Sequence, residues 1–231
     1  MKNELENITL ESLAESVLPH FDSKKLVDWA INTLKLGYES ENLYILAGMD
    51  NDTTEEREKY FWKSIKDLNI DCQKSKEKLI EFYANTIAKK TINKELNIEN
   101  ALDKMYKIII ATDYDKRYYS FFDIIEDIDN IRCYGRPLLC SGLTREKFDE
   151  YVIEEFEIFL AMQNVEIPEY ELNKCYCKKC KKLANYKLKK RFQLKKPFIF
   201  YIWVCENCES KDILYPRSHS IMKLLIEKYK I

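Results

Sequence analysis

The chain has 231 residues and a formal net charge of −1, which arises from 38 Lys and Arg residues against 39 Asp and Glu residues. Its four Gly and five Pro residues are too few for the frequent turns of an all-β sandwich or barrel. The glycines are also too scattered for a Gly-rich phosphate-binding loop, and a hydrophobic content of 46% excludes a globally disordered chain. The small net charge argues, at first, against a nucleic-acid partner.

The N-terminal residues are acidic and lack the apolar stretch of a secretory signal. The longest apolar run, residues 198–205, has eight residues, which is too short to span a membrane. We therefore expect a cytoplasmic protein with no membrane partner. In that compartment, eight cysteines indicate metal binding or thiol chemistry rather than disulfides.

Apolar residues recur at helical spacing throughout residues 1–168. Eight such stripes with short polar connectors predict about eight helices and a mainly α fold. No fixed repeat is present, so a helical bundle and a short solenoid of helix pairs both fit the pattern. The stripes lie at residues 10–18, 26–34, 43–47, 60–68, 79–87, 102–109, 121–128 and 148–160.

Capping residues mark several of the predicted helix ends. Ser23 and Ser40 stand where N-caps are expected, and Thr53 with Glu56 has the spacing of a capping box. Gly37 follows an apolar stripe at the position of a C-terminal capping glycine. The helical pattern lapses at residues 131–142, which predicts a long connector that contains Cys133 and Cys140.

Charge divides the chain into two predicted domains. Residues 1–168 hold 22 Lys and Arg against 33 Asp and Glu, a net charge of −11, and residues 169–231 hold 16 against 6, a net charge of +10. Residues 166–171 are the predicted hinge between them. The near-zero total is therefore a cancellation between an acidic helical domain and a basic module, which ends in a predicted terminal helix.

Two Cys-x-x-Cys pairs lie in the basic module. Cys177 with Cys180 and Cys205 with Cys208 are separated by 24 residues. Each pair can direct two thiolates at one ion, and four thiolates complete a closed tetrahedral shell, which predicts a structural Zn²⁺. Cys175 lies two residues before Cys177 and is an alternative ligand, although the spacing of Cys177 to Cys180 matches that of the second pair.

The residues between the two pairs predict a β-hairpin. Residues 186–194 alternate between apolar and polar, mainly basic, side chains, with Lys190 as the exception, and residues 198–204 form a second apolar strand. This layout resembles a zinc ribbon over residues 172–216. The first cysteine pair departs from that family because it lacks the usual Pro and Gly. The resemblance implies zinc ligation by Cys177, Cys180, Cys205 and Cys208.

Residues 174–196 contain 11 Lys and Arg and no Asp or Glu, with aromatic residues interleaved. Such a segment can follow a phosphate backbone and stack bases. Docking onto a protein partner or onto the acidic domain of the same chain, or a merely solvated face, would fit as well. The leading hypothesis is a non-enzymatic scaffold or adaptor that binds nucleic acid or a partner protein. The predicted contacts are Lys187, Lys189, Arg191, Lys195 and Lys196.

A competing hypothesis is a metal-dependent enzyme that uses the acidic cluster at residues 113–129. Asp123 and Asp127 are four residues apart on one helix, close enough to share a cation or to act as an acid–base pair. The opposite stripe is apolar, so an ordinary solvated helix face explains these carboxylates more simply. The thiols of Cys133 and Cys140 are the other candidate for an enzyme site.

Residues 28–48 are similar to the opening helices of uncharacterised bacterial all-helical proteins, some of them from defence or toxin–immunity settings. The similarity extends over about the first 130 residues. It implies a helical fold without a catalytic motif. A further alternative is therefore an immunity or inhibitor protein whose acidic domain binds a basic toxin or nuclease.

Overall fold

The computed structural model describes residues 2–230, which form a mainly α protein and confirm the predicted fold class. Each predicted apolar stripe overlaps one of the first eight helices. Three short strands and a four-residue helix were not predicted. The elements are α1 (Lys2–Ser16), α2 (Lys24–Lys35), α3 (Glu41–Ala47), α4 (Thr54–Asp67), α5 (Lys76–Ile92), α6 (Ile98–Ala111), α7 (Tyr119–Tyr134), α8 (Phe148–Met162), α9 (Glu169–Leu172), β1 (Cys175–Cys177), β2 (Lys182–Ala184), β3 (Tyr186–Phe192), β4 (Ile199–Cys205), β5 (Ile213–Leu214) and α10 (His219–Tyr229).

The described residues form two compact units. The first comprises the residues up to Lys90 together with Glu99–Tyr119, and the second comprises Thr91–Ile98 and the residues from Ser120 onward. The first unit holds nearly all of α1–α6, and the second holds nearly all of α7, together with α8–α10 and the five strands. The predicted domain boundary between residues 168 and 169 stays a prediction.

An aromatic pair lies in the core of the first unit, where α2, α3 and α4 pack against one another and α1 packs against α2. Trp29 of α2 meets Phe61 of α4 edge-on, with ring centroids 4.7 Å apart. The Trp29 indole N–H donates to Thr9 Oγ1 at 3.1 Å. This bond satisfies the one polar atom of a buried ring, so the indole can be buried at little cost.

Three of the predicted caps have the expected geometry. The side chains of Ser40 and Thr53 accept hydrogen bonds from the backbone N–H groups of Leu43, at 3.1 Å, and Glu56, at 3.3 Å. Gly37 has a φ of 82°, the left-handed conformation that glycine adopts without strain at the C-terminal end of a helix. These ends therefore follow from local sequence alone.

The prediction that Ser23 caps α2 is wrong, because its side chain makes no capping hydrogen bond and its backbone is helical. Its hydroxyl instead accepts a hydrogen bond from Arg57 Nη1 at 2.9 Å and lies 3.1 Å from Thr54 Oγ1. The buried Arg57 guanidinium also donates to the carbonyl oxygens of Met49 and Asp50. A long-range contact with a buried cation has thus replaced a local cap.

A half-buried carboxylate links four helices of the first unit. Glu15 of α1 accepts hydrogen bonds from Lys104 Nζ of α6 at 2.6 Å, from Lys25 Nζ of α2 at 2.8 Å and from the Tyr83 hydroxyl of α5. Burial opposes ionisation of Glu15, but these three donors outweigh it and lower its pKa to about 2. The ionised carboxylate therefore stabilises the folded unit.

Replacement of Glu15 by Gln is expected to lower the free energy of unfolding of the first unit by about 2 kcal/mol at pH 7. The folded-state pKa is lowered, so this stabilisation is present above pH 4.5 and is lost as the pH falls toward 2. Urea titrations of wild type and variant at pH 7, 4.5 and 3 should converge as the solution is acidified. Glu11→Gln, which removes a more exposed partner of Lys90, is the matched control and should cost less than about 1 kcal/mol.

Aromatic packing joins α7 and α8 in the second unit. The ring of Phe121 lies 4.6 Å from that of Phe156 and 5.7 Å from that of Phe159. Helix α7 continues to Tyr134, so the predicted connector begins four residues later than its expected start at residue 131. Helix α10 packs on α8 and α9.

The predicted hinge at residues 166–171 is in part a structured contact. Glu171 of α9 is buried, and its carboxylate accepts from Lys174 Nζ at 2.7 Å and from Lys228 Nζ of α10 at 2.8 Å. These lysines lower the pKa of Glu171. An ion-pair network therefore fixes this end of the segment against the terminal helix.

The strands form two small antiparallel sheets. One has the order β2-β1-β5, and the other is the predicted hairpin of β3 and β4. Strand β3 ends at Phe192, two residues earlier than the alternation predicted, and Leu194 lies in the exposed turn. None of the helices between Lys2 and Lys230 combines the length and apolarity that crossing a bilayer requires.

Candidate metal centre

The two sheets bring the four predicted ligand sulfurs together. Cys177 ends β1 and Cys205 ends β4, while Cys180 and Cys208 lie in the turns that follow. All four Sγ atoms lie within 4.8 Å of one another, with 3.6 Å between Cys177 and Cys208 and 4.0 Å between Cys180 and Cys205. Zn–S bonds of about 2.3 Å at tetrahedral angles would separate the sulfurs by about 3.8 Å. These four cysteines, called the quartet from here on, therefore already have the sulfur spacing of a ZnS₄ centre.

The two turns reach this geometry although the first cysteine pair lacks the Pro and Gly that are usual in a zinc ribbon. The backbone N–H of Cys180 donates to Cys177 Sγ at 3.4 Å, which draws the first turn around its sulfur. Each turn is followed directly by a residue in the left-handed conformation, Lys181 with a φ of 53° and Glu209 with a φ of 55°. Two non-glycine residues therefore supply the reversal that glycine usually provides.

Cys175 lies outside the quartet. It is buried on β1, and its thiol donates to the carbonyl oxygen of Ala184 on β2 at 3.2 Å. Burial, followed by the neighbouring sulfurs, raises the pKa of Cys175. A protonated thiol that donates to a carbonyl suits a structural residue better than a metal ligand.

The thiols of the quartet need a cation before they can ionise together. A hydrogen bond with Cys208, followed by burial and the other two thiols, raises the pKa of Cys180 to about 12. A divalent cation reverses this effect, because it stabilises all four thiolates at once. With four protein sulfurs the shell is closed, so the centre can support the fold but offers no position for a reacting water.

Cysteines also form most of the apolar core around the centre. The core cluster of the sheets consists of Cys175, Cys177, Cys205, Ala184 and Ile213, with the partly buried Cys180, Cys208 and Tyr186 packed against it. No large aliphatic or aromatic side chain is fully buried in this cluster. So small a core does not offset the entropy of ordering about 40 residues, and a metal is the usual remedy.

The predicted contact residues extend from the metal centre along the hairpin. Lys187 and Lys189 point to one face, and both form ion pairs with Glu209, the residue after the last cysteine. The Lys187 Nζ lies 3.4 Å from the Glu209 carboxylate. Arg191, on the same face, is exposed. Lys195 and Lys196 are exposed in the turn between β3 and β4.

Asp127 differs from the predicted solvated carboxylate, because it is fully buried. Its oxygens accept hydrogen bonds from the backbone N–H groups of Leu138 at 2.7 Å, Leu139 at 3.0 Å and Cys140 at 2.6 Å, and from the side-chain amide of Asn130 at 2.9 Å. Burial opposes its ionisation, but these donors lower its pKa. Asp127 therefore anchors the segment after α7 and has little capacity left for catalysis.

The other members of the predicted enzyme site lie in different environments. Burial, followed by the charge of Asp127, raises the pKa of Asp123. Burial and the same carboxylate strongly raise the pKa of the Cys140 thiol, which keeps it protonated. Cys133 lies on the surface at the end of α7.

A buried histidine clamp was missed by sequence reasoning. His219, the first residue of α10, directs Nδ1 at Glu154 Oε2, 2.6 Å away, and Nε2 at Glu155 Oε2, 2.8 Å away. Its ring stacks on Tyr151 with centroids 3.9 Å apart. Carboxylates accept only, so two protonated ring nitrogens and an imidazolium cation best satisfy this geometry. The only sequence signal is that Tyr151, Glu154 and Glu155 share one face of α8.

Comparisons of the chain with protein-family models, with curated proteins and with solved structures found no match. The similarity of residues 28–48 to bacterial helical proteins of defence settings gains no support from them and stays a prediction.

Proposed function

We propose that this protein is a non-enzymatic cytoplasmic adaptor whose structural Zn²⁺ holds a basic hairpin in position to bind nucleic acid. The observation that carries the proposal is the continuity of the quartet with the hairpin. Strand β4 ends in the ligand Cys205, and the first residue of β3, Tyr186, pairs with that cysteine. The ion therefore fixes the base of the hairpin, as a rigid platform requires.

The charge of the hairpin supports nucleic acid as the partner. Between residues 186 and 205 there are six Lys and Arg and no Asp or Glu. Exposed cations on a projecting element bind phosphates and release counterions, which gives affinity without sequence specificity. Glu209 offsets part of this charge near the metal centre, so the cations nearer the turn contribute most.

A combined variant, Arg191→Gln with Lys195→Gln and Lys196→Gln, is expected to weaken binding of a 15-nucleotide single strand by about tenfold or more at about 50 mM salt. If all three cations contact phosphates, the slope of log K against log salt should become less steep by about 2. Fluorescence anisotropy across a salt titration from about 50 to about 250 mM measures both quantities.

The matched control replaces three exposed lysines of the first unit by Gln: Lys24, Lys66 and Lys76. The charge change is the same, so an equal loss of affinity in the control would indicate a general charge effect. The proposal fails if the zinc-loaded wild-type protein shows no salt-sensitive binding to any nucleic acid at micromolar concentration.

A further inference from the structure

The face of the hairpin opposite Lys187 and Lys189 carries an exposed row of large apolar side chains. The register places Leu188 across from Trp203, Lys190 across from Tyr201, and Phe192 across from Ile199. Phe192 is 73% exposed, Tyr201 58% and Trp203 42%, and Leu188 and Ile199 are exposed as well. We call these six residues, five of them apolar and the sixth Lys190, the aromatic face. An exposed apolar surface of this kind marks an interaction site.

The aromatic rings are oriented by their neighbours. Trp203 meets Tyr186 edge-on, with centroids 5.2 Å apart and planes at 75°. Lys190 holds its Nζ 5.3 Å from the centre of the Phe192 ring. Side chains two residues apart on one strand are about 6.6 Å apart, so Tyr201 and Trp203 can each contact a different base.

Charge selects the occupant of the aromatic face. Lys190, the one residue that broke the predicted alternation, places a cation among the rings, and no carboxylate lies on the hairpin between residues 186 and 205. A second copy of the same face would bring Lys190 against its counterpart, which is unfavourable. A polyanion with accessible π-faces satisfies both the cation and the rings.

We propose that the aromatic face binds single-stranded nucleic acid, with unpaired bases stacked on Tyr201, Trp203 and Phe192 and a phosphate at Lys190. This inference rests on the proposed function, but it assigns recognition to the opposite face from Lys187, Lys189 and Arg191. Bases in a duplex are stacked on one another and cannot reach the rings. The hairpin therefore discriminates single strands from duplexes by stacking, without reading their sequence.

The test compares Tyr201→Ala and Tyr201→Leu in the full-length, zinc-loaded protein. Each is titrated with a labelled 15-nucleotide single strand and with the corresponding duplex. Wild type should bind the single strand at least tenfold more tightly than the duplex, and Tyr201→Ala should reduce that affinity by about tenfold. Tyr201→Leu retains apolar area without a ring, so an equal loss with Leu identifies stacking as the cause.

A control and a direct readout complete the experiment. Trp62 is an exposed indole of the first unit, so Trp62→Ala should leave affinity unchanged. In a Trp62→Phe background, Trp203 is the one exposed indole, since Trp29 is buried. Single-stranded nucleic acid should then quench the fluorescence of Trp203. Zinc content of every variant reports whether the hairpin remains folded.

The outcomes separate the two proposals. Equal affinity for duplex and single strand, or full affinity in Tyr201→Ala, overturns the aromatic-face inference while binding through Arg191, Lys195 and Lys196 survives. Absence of binding to both nucleic acids overturns the proposed function and the inference together. Stoichiometric displacement of the single strand by an acidic peptide of equal charge would assign the face to a protein ligand and contradict the inference.

Discussion

Replacement of Cys205 by Ser is expected to abolish zinc binding and to unfold β1–β5, the largest effect of any single substitution considered. The variant retains three thiols around a position that needs four, and a core built mainly of cysteines offers little to hold the sheets without the ion. Structural zinc typically contributes on the order of 10 kcal/mol to folding.

The measurement is metal content together with the fluorescence of Trp203, which lies two residues before the ligand. Wild type should carry about one zinc ion per chain. Cys205→Ser should carry none and should show a lower fluorescence anisotropy of Trp203, because the unfolded segment is more mobile, as should wild type after treatment with a strong chelator. The Trp62→Phe background again removes the other exposed indole.

Cys175→Ser is the matched control, because it changes the same residue type on the adjoining sheet. A serine hydroxyl can donate to the Ala184 carbonyl as the thiol does, so zinc content should stay near one per chain. Loss of zinc in Cys175→Ser with retention in Cys177→Ser would assign the ligand the other way. A wild-type protein that binds less than about half an equivalent of any metal would refute the centre itself.

Substitution of His219 by Asn is expected to destabilise the second unit by about 3 kcal/mol at pH 6, the second largest effect. It removes the cation between Glu154 and Glu155 and leaves the buried carboxylate of Glu155 without its partner. Lys223 remains paired with Glu154, so most of the loss falls on Glu155.

The effect should depend on pH in a defined direction. Burial opposes protonation of His219, but hydrogen bonds with Glu155 and Glu154 outweigh it and raise its pKa above 6.5. A raised folded-state pKa stabilises the protein fully below pH 6.5, and this contribution is lost as the pH rises through the folded value. Tyr151 and Lys223 face the same cluster, and burial raises the pKa of the Tyr151 hydroxyl, so that hydroxyl stays protonated in this range. Urea unfolding between about pH 5.5 and about pH 9 should therefore show the two proteins converging at high pH.

His20→Asn is the control, since His20 is exposed and is the chain's other histidine. It should leave the pH dependence of stability unchanged. Adding Glu155→Gln to His219→Asn should recover part of the loss, because a neutral amide no longer needs a cation. Equal destabilisation in the single and double variants would argue against an ionic clamp, as would an unchanged pH profile in His219→Asn.

The features that the sequence predicted correctly depend on residues that lie close together in the chain. The quartet could be predicted because each Cys-x-x-Cys pair is local and the hairpin between the pairs alternates visibly. Strands β1, β2 and β5 have two or three residues each, too short for any period to be detected. The left-handed residues Lys181 and Glu209 carry no glycine signal and were likewise missed.

The parts that sequence missed depend on contacts between distant residues. Ser23 was predicted to be an N-cap, but its hydroxyl accepts a hydrogen bond from Arg57, which lies 34 residues away in the sequence. His219 meets Glu154 and Glu155 from 65 and 64 residues away, and a single sequence holds no record of such a pairing. From the sequence, Asp127 was predicted to be solvated, because three of its four hydrogen-bond partners are backbone N–H groups beyond the helix end.

The way in which Asp127 holds its neighbours has a consequence for how the chain can vary. The carboxylate binds the N–H groups of Leu138, Leu139 and Cys140, and the side chains of the first two are exposed. Positions 138 and 139 can therefore accept almost any amino acid except proline, which has no N–H to give. At these two positions the constraint is a backbone N–H group that Asp127 binds from outside the segment, so their side chains can diverge while the contact with Asp127 is preserved.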